Sequence, residues 1–225
     1  MGVNCILFCY TKCPLMKLSV IISFLILSSL ENTYAQNAYV KLGQEALMDG
    51  DFKAAVAQLE KACLIDSTNA NALWMLGYSY YHSENYKKSI AVYTKEISIN
   101  PTDATAYYYR ARDKSYLGRD NTLSAADKEK YLLGAIYDLT KAISINPNDT
   151  QNKYFQTRGI AYREYGVFKL QPNSHYYDRI RGVNSLKASI SDLEKVLAEN
   201  PGRTDISTLI DLSKQKLDEA LAQKK

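Results

Sequence analysis

The sequence predicts an all-α fold, a row of helix pairs stacked as a solenoid and closed by one C-terminal helix. Three observations carry this. Four segments echo one another, LEKACLIDS, YTKEISINP, LTKAISINP and LEKVLAENP, closing at Ser67, Pro101, Pro147 and Pro201. Their closing residues lie 34, 46 and 54 residues apart, a period of 34 with insertions of 12 and 20 residues in the last two units. Small residues (Gly43, Gly77, Ala111, Gly159) recur inside helical patterns, each with a large residue one turn before it (Tyr39, Leu73, Tyr107, Phe155). Glycine inside a helix costs up to ~1 kcal/mol relative to alanine. That cost is offset where a neighbouring helix must come close. A single helix pair cannot bury its own apolar face, so the units must lean on one another.

The elements follow in order. The first unit, 36–69, places Tyr39, Leu42, Gly43 and Ala46 on its first helix and Ala55, Leu59 and Ala62 on its second. The second, 70–103, has Leu73, Leu76, Gly77 and Tyr80, then Tyr86, Ser89, Tyr93 and Pro101. The third, 104–149, has Tyr107 and Ala111, then Ala135, Leu139, Ala142 and Pro147, with 118–130 inserted. The fourth, 150–203, has Phe155, Gly159 and Tyr162, then Leu186, Ser189, Leu193 and Pro201, with 166–184 inserted. Each proline lacks an N–H and disfavours helix at the residue before it, so Asn100, Asn146 and Asn200 should end the second helices. The last segment, 204–225, repeats Ile206, Leu209, Ile210, Leu217 and Leu221 at helical spacing and has no partner helix. It predicts a capping helix over the last unit, with Thr204 or Asp205 at its N-terminus.

This pattern resembles the tetratricopeptide repeat (TPR), whose period is 34 residues and whose signature is W-x2-L-G-x2-Y, then small, aromatic, small and proline. The resemblance covers about 36–201. It implies a right-handed superhelix of about four helix-turn-helix repeats, with the first helices lining a concave wall. The inward positions are then Asn37, Val40, Lys41, Gln44 and Met48 in the first repeat. The second offers Asn71, Trp74, Met75, Tyr78, Tyr81 and His82, the third Thr105, Tyr108, Tyr109, Arg112 and Tyr116. The fourth offers Lys153, Gln156, Ile160 and Arg163. From these, a binding groove is expected at Gln44, Asn71, Trp74, Met75, Tyr78, Tyr81, His82, Tyr108, Tyr109, Arg112, Tyr116 and Arg163. Trp, Tyr and Arg dominate binding hot spots, and tyrosine offers a flat apolar face with a hydroxyl. Tyr39, Tyr80, Tyr86, Tyr93 and Tyr107 are expected as packing instead. Some TPR domains clamp a C-terminal carboxylate with Lys and Asn. The matching positions here, Val40, Gln44, Met75, Thr105 and Tyr109, lack the charge, so that activity is not carried over.

The first insertion, GRDNTLSAADKEK, reads as a solvated extension whose end continues into the second helix. The second carries Phe168, His175, Tyr176, Tyr177, Arg179 and Arg181, either as a functional loop or tucked against the fourth helix pair.

The first residues read as export signal rather than fold. Lys17 precedes an apolar run, Leu18–Leu30, and Thr33-Tyr34-Ala35 is a small-x-small cleavage site. The run is shorter than the ~20 residues that span a bilayer. Met1–Leu15 reads as an upstream extension before a second start at Met16. Cleavage would leave Gln36 first and no integral membrane span, giving an exported protein of a bacterial envelope, periplasmic or extracellular. Removing Lys12, Lys17 and Glu31 from 28 basic and 24 acidic residues leaves a net charge of +3. That balance does not favour nucleic acid as a partner. Cys63 alone would remain, expected as a buried inert thiol, which excludes a disulfide scaffold.

No catalytic residue is assigned. The two histidines, His82 and His175, are far apart and without metal-ligand spacing, and no metal or cofactor is expected. Glu164, Asp178 and Asp192 read as ordinary helix-face or loop charges. Three readings follow: an exported, non-enzymatic adaptor binding a protein or peptide in its groove, a module for cell-wall glycan or peptidoglycan, or a structural subunit of an envelope complex.

Overall fold

A computed structural model describes residues 34–149 and 151–222. The upstream extension and the apolar run of the expected signal, over 1–33, lie outside the described residues. Among those described, the secondary structure is all helical. Helix α1 covers 34–48. It is followed by α2 (Phe52–Ile65), α3 (Ala70–His82), α4 (Tyr86–Ile99), α5 (Ala104–Arg119) and α6 (Ala125–Ile145). Then come α7 (Lys153–Lys169), α8 (Arg179–Glu199) and α9 (Thr204–Ala222). The chain forms two compact units, divided within α3 between Met75 and Leu76.

In the first unit, Ala55, Leu59 and Ala62 of α2 are fully buried. A Cβ on Gly43 would lie 2.5 Å from Leu59 Cγ, so α1 reaches α2 only because that side chain is missing. Asp51 caps α2, accepting from the Ala54 N–H at 2.9 Å. Gln36 is buried and donates to Asp66 at 3.3 Å. Leu42, read as part of the signature, is exposed instead. Its α-carbon stands next to Gly43 and so turns away from the seam. Cys63 is half-buried rather than enclosed.

In the second unit, consecutive helices from α5 to α9 pack on one another. Tyr93, Leu139 and Leu193 occupy equivalent places and are fully buried. Leu193 joins Val196, Ile206 and Ile210, so α9 covers α8 as the capping expectation required. Asp103, Ser124 and Asp178 cap α5, α6 and α8 through their side chains. Thr204 is the first residue of α9. Asn100, Asn146 and Asn200 end α4, α6 and α8, each returning its backbone N–H to the last turn. Tyr80 and Tyr93 are buried, while Tyr86 and Tyr107 are half-buried.

Both insertions are partly helical. The first lengthens helices rather than a loop: α5 has 16 residues against 13 in α3, and α6 has 21 against 14 in α4. The turn between α5 and α6 is 120–124. Gly118 explains the extension, since a Cβ there would sit 2.7 Å from Leu132 Cδ2. The two helices keep packing for an extra turn. The second insertion adds a turn to α7, a loop over 170–178 and the start of α8. Gly166 and Gly182 face each other, each Cβ position lying within 3.2 Å of the other's carbonyl oxygen, so the two backbones touch. Tyr176 folds back on Phe168, and the Asp178 N–H donates to the Lys169 carbonyl at 2.8 Å. Its aromatics are therefore split: Phe168 and Tyr176 are tucked in, while His175 and Tyr177 are exposed.

Candidate functional site

The end of α3 and most of α5 bring a cluster of aromatic side chains together in the second unit. Their spacing does this. Tyr78 and His82 are one turn apart on α3, as are Tyr108, Arg112 and Tyr116 on α5, so each set shares a face. Tyr78 meets the edge of Tyr109 with centroids 5.3 Å apart. Tyr81 contacts Tyr109 at 5.5 Å and Tyr116 at 6.1 Å. Tyr108 contacts Tyr109 at 5.2 Å and Tyr154 of α7 at 5.4 Å. Tyr116 stacks flat on Tyr86 at 4.6 Å. Such aromatic pairs contribute about 0.5–1.5 kcal/mol each beyond their buried area.

Arg112 sits at the centre. Its guanidinium carbon lies 4.6 Å from the Tyr81 ring centroid, 5.5 Å from Tyr108 and 5.8 Å from Tyr109. The quadrupole of each ring draws the cation to its face. Burial pushes the Tyr109 hydroxyl up to about 12 and raises that of Tyr81 further, so both stay protonated and neutral. Burial, with the Arg112 charge, lowers the pKa of His82, which is therefore neutral near pH 7.

The expected groove residues separate into groups. Tyr78, Tyr81, His82, Tyr108, Tyr109, Arg112 and Tyr116 come together. Tyr81 is 7% exposed and so is packing beneath the cluster rather than a free surface. Its ring is enclosed by Tyr86, Tyr109, Tyr116 and Arg112. Arg163 lines another pocket of about 240 Å3 with Lys128, Glu164 and Phe168. Gln44, Asn71, Trp74 and Met75 belong to the first unit. There Gln44 and Asn71 are exposed, Trp74 is half-buried and Met75 is buried at 6% exposure, which corrects its assignment to an open face. Met75 adjoins the buried Leu76 on a helix that is apolar around most of its girth.

Sequence reasoning missed several neighbours. Ser115, Arg119 and Glu164 join Tyr108, Arg112 and Tyr116 around a pocket of about 230 Å3 between α5 and α7. Arg119 is one turn beyond Tyr116, the signal that would have found it. Arg119 donates to Glu164 at 3.1 Å. Glu164 is thus a paired, largely buried wall residue, and burial raises its pKa. Asp178 is a helix cap, and Asp192 is buried in an ion pair with Arg158 at 2.7 Å. Asp178 is thus a loop charge as expected, whereas Asp192 is buried rather than an ordinary helix-face charge. Among the described residues, no group of His, Cys, Asp and Glu has the arrangement of a metal site, and no helix is long and apolar enough to cross a membrane.

Residues 36–69 and 70–103 each match the tetratricopeptide repeat family, so the chain carries TPR repeats. No curated protein matches the sequence. Solved structures share the fold. A MamA protein has a TM-score of 0.62 and 22% identity, over 83% of this chain and 86% of that one. A second MamA structure has a TM-score of 0.53 and 24% identity, over 76% and 84%. Pseudomonas aeruginosa PilF has a TM-score of 0.51 and 20% identity, over 84% and 72%. At these identities the likeness is one of fold: an all-α array of TPR-like helix pairs. TPR folds generally mediate protein–protein interaction.

Proposed function

We propose that the protein is an exported, non-enzymatic adaptor that binds an extended peptide segment of an envelope protein across the tyrosine face of α3 and α5. One observation carries the reading. Tyr78, Tyr108, Tyr109 and Tyr116 keep part of their surface open while packing on one another around Arg112. A rigid, half-open aromatic platform with a central guanidinium has the composition and clustering of a binding hot spot. Its rings are held by their neighbours, so little side-chain freedom is left to lose on binding. Export is supported by Lys17, the Leu18–Leu30 run and the Thr33-Tyr34-Ala35 site.

Binding is tested with the purified chain on parallel peptide and glycan arrays. Peptide binding that falls at least ten-fold in the Tyr78→Ala/Tyr109→Ala variant, measured at a temperature where its circular dichroism shows it still folded, is the expected outcome. Glycan binding without peptide binding, or normal peptide affinity in the variant, rejects the reading. Export is tested by N-terminal sequencing of protein recovered from the source cells. Gln36 as the first residue supports it, and an intact leader on cytoplasmic protein rejects it.

A further inference from the structure

We infer that Arg112 is the anchor for a side-chain carboxylate, so that the bound segment must carry Asp or Glu at one fixed position. This rests on the peptide-binding reading of the tyrosine face and gives it a chemical specificity.

Arg112 differs from the other arginines of α5. Arg110 is paired with Asp138 and Arg119 with Glu164. Among the described residues, no carboxylate lies within ion-pair distance of Arg112, and its close contacts are the three tyrosine rings. Rings satisfy the flat faces of a guanidinium. They leave its N–H donors, which project in the plane and match the two oxygens of a carboxylate. Burying half of a cation with its donors unused is expensive unless an acceptor arrives.

Room for that acceptor exists beside it. The pocket of about 230 Å3 is lined by Tyr108, Arg112, Tyr116, Arg119, Gln156 and Glu164, among others. Two guanidinium groups face one carboxylate there, and Arg119 already neutralises that carboxylate. The pocket is therefore electropositive, and its volume suits one side chain. Tyr108 lies one turn before Arg112 on α5 and Tyr116 one turn after it, so tyrosine contacts continue on both sides of the anchor. That arrangement fits an internal residue of a passing chain rather than a chain end.

His82 supplies an independent reporter. Its ring lies 4.3 Å from Tyr78 and 4.9 Å from Tyr81, and the Arg112 charge helps to hold its pKa down. A carboxylate seated on Arg112 cancels part of that field, so His82 should titrate at higher pH in the complex.

The test uses the full chain on an array of N-acetylated, C-amidated dodecapeptides of varied sequence, with a parallel set bearing free C-termini. Wild type is expected to select Asp or Glu at one position. Replacing that acid by its amide in the peptide should weaken binding about ten- to a hundred-fold, the range of a charged hydrogen bond. The same replacement should have no effect on Arg112→Gln, and Arg112→Glu should shift selection to Lys or Arg. By NMR, the His82 midpoint should rise with the acidic peptide and not with its amide. The peptide-side replacement needs no folded variant. Binders without acidic preference, equal affinity of Arg112→Gln for the selected peptide, or dependence on a free C-terminus overturns the inference while leaving the peptide-binding reading in place. An array on which wild type binds no peptide overturns both.

Discussion

Arg158 of α7 grips Asp192 of α8 with two hydrogen bonds, Nε to Oδ2 at 2.7 Å and Nη2 to Oδ1 at 2.9 Å. One repeat earlier, Arg110 of α5 holds Asp138 of α6 in the same way, at 2.8 and 2.7 Å. The parallel extends further. Arg158 also donates to Thr140 and Arg110 to Thr94, each a residue of the preceding helix. Each threonine in turn donates to the carbonyl one turn back, Ile136 or Ile90, which fixes its oxygen as the acceptor. Three successive helices are therefore tied at one point in each of these two repeats.

The first prediction concerns this tie. Both aspartates are buried, and removing one partner of a buried pair leaves an uncompensated charge. Arg158→Ala is expected to lower unfolding stability by about 3–5 kcal/mol. Arg158→Lys should recover part of this, since an ammonium cannot make the two-pronged contact. Arg158→Met/Asp192→Leu should recover most of it, because an apolar pair of similar volume avoids the desolvation penalty. Urea denaturation of the three variants measures this. A loss below about 1 kcal/mol in Arg158→Ala would show that the pair is a surface ion pair in energetic terms.

A second prediction concerns pH. Asp113 is fully buried, and neither of its oxygens accepts a hydrogen bond. The nearby Ser89 hydroxyl is spent on the Gly77 carbonyl at 2.9 Å. Burial pushes the Asp113 carboxyl up to about 8, against the opposing pull of the nearby Ser89 hydroxyl and then of the Arg112 charge, and Glu96 up to about 7, with help from Asp103. Both folded values exceed the unfolded ones, near 4, so the folded state binds more protons in between. Stability then falls as pH rises. The contribution is whole below about pH 4 and lost by about pH 8. The melting temperature should be higher at pH 5.5 than at pH 8.5, and Asp113→Asn should remove most of that slope. A flat or rising profile between those values would contradict the assignment.

The third prediction comes from the hairpin turns. Gly50 and Glu84 hold equivalent places, with φ of 74° and 58°, and the next residue's N–H bonds back to Ala46 or Tyr80. This left-handed backbone suits glycine and strains glutamate by about 1–2 kcal/mol. Glu84→Gly should therefore raise stability by about 1 kcal/mol after the entropic penalty of glycine. Gly50→Ala should lower it by a similar amount. A Cβ at Gly50 meets nothing within 4 Å, so the loss would come from backbone strain alone. Thermal melts of both variants read the opposite signs.

The seams were legible in the sequence because their residues stand at the same place in each echoed segment. Leu59, Tyr93, Leu139 and Leu193 could be aligned by their echo, and each is fully buried. The arginine ties were not. Asp138 and Asp192 stand just before two of those residues, but Val92 occupies the place in the second repeat, so the aspartates do not belong to the echo that marks the seam. Their partners are 28 and 34 residues away, a separation that no local period reveals. The tyrosine cluster was read in outline, since Tyr108, Arg112 and Tyr116 share a helix face. Which of its rings would be covered depended on cross-helix packing, as the burial of Tyr81 shows. The insertions were legible in part, since the first was expected to run into the second helix but the lengthening of α5 and α7 was not. Length was visible, but Gly118, Gly166 and Gly182 had to be seen against Leu132, Leu186 and Leu170 before the extra residues could be assigned to helix rather than loop.

The last prediction joins the core to the candidate site. Gly77 of α3 stands over the Tyr93 ring of α4, and a Cβ there would lie 2.8 Å from Cζ. Tyr93 is fully buried and cannot swing into solvent. The same ring stacks on Tyr109 at 5.9 Å with the planes 9° apart. Adding one methyl at Gly77 must therefore shift the Tyr93 ring and disturb its stacking on Tyr109, a member of the aromatic face. Overpacking of this kind costs about 1–3 kcal/mol. Gly77→Ala is expected to lose stability in that range and to change the near-ultraviolet dichroism of the tyrosines. Gly202→Ala, where an added Cβ meets open space, should do neither. Because Tyr109 also touches Tyr78, Tyr81 and Tyr108, the same variant should weaken peptide binding without removing any residue of the aromatic face. Full stability with an unchanged dichroism spectrum would mean that α3 and α4 are further apart at this point than the contact requires.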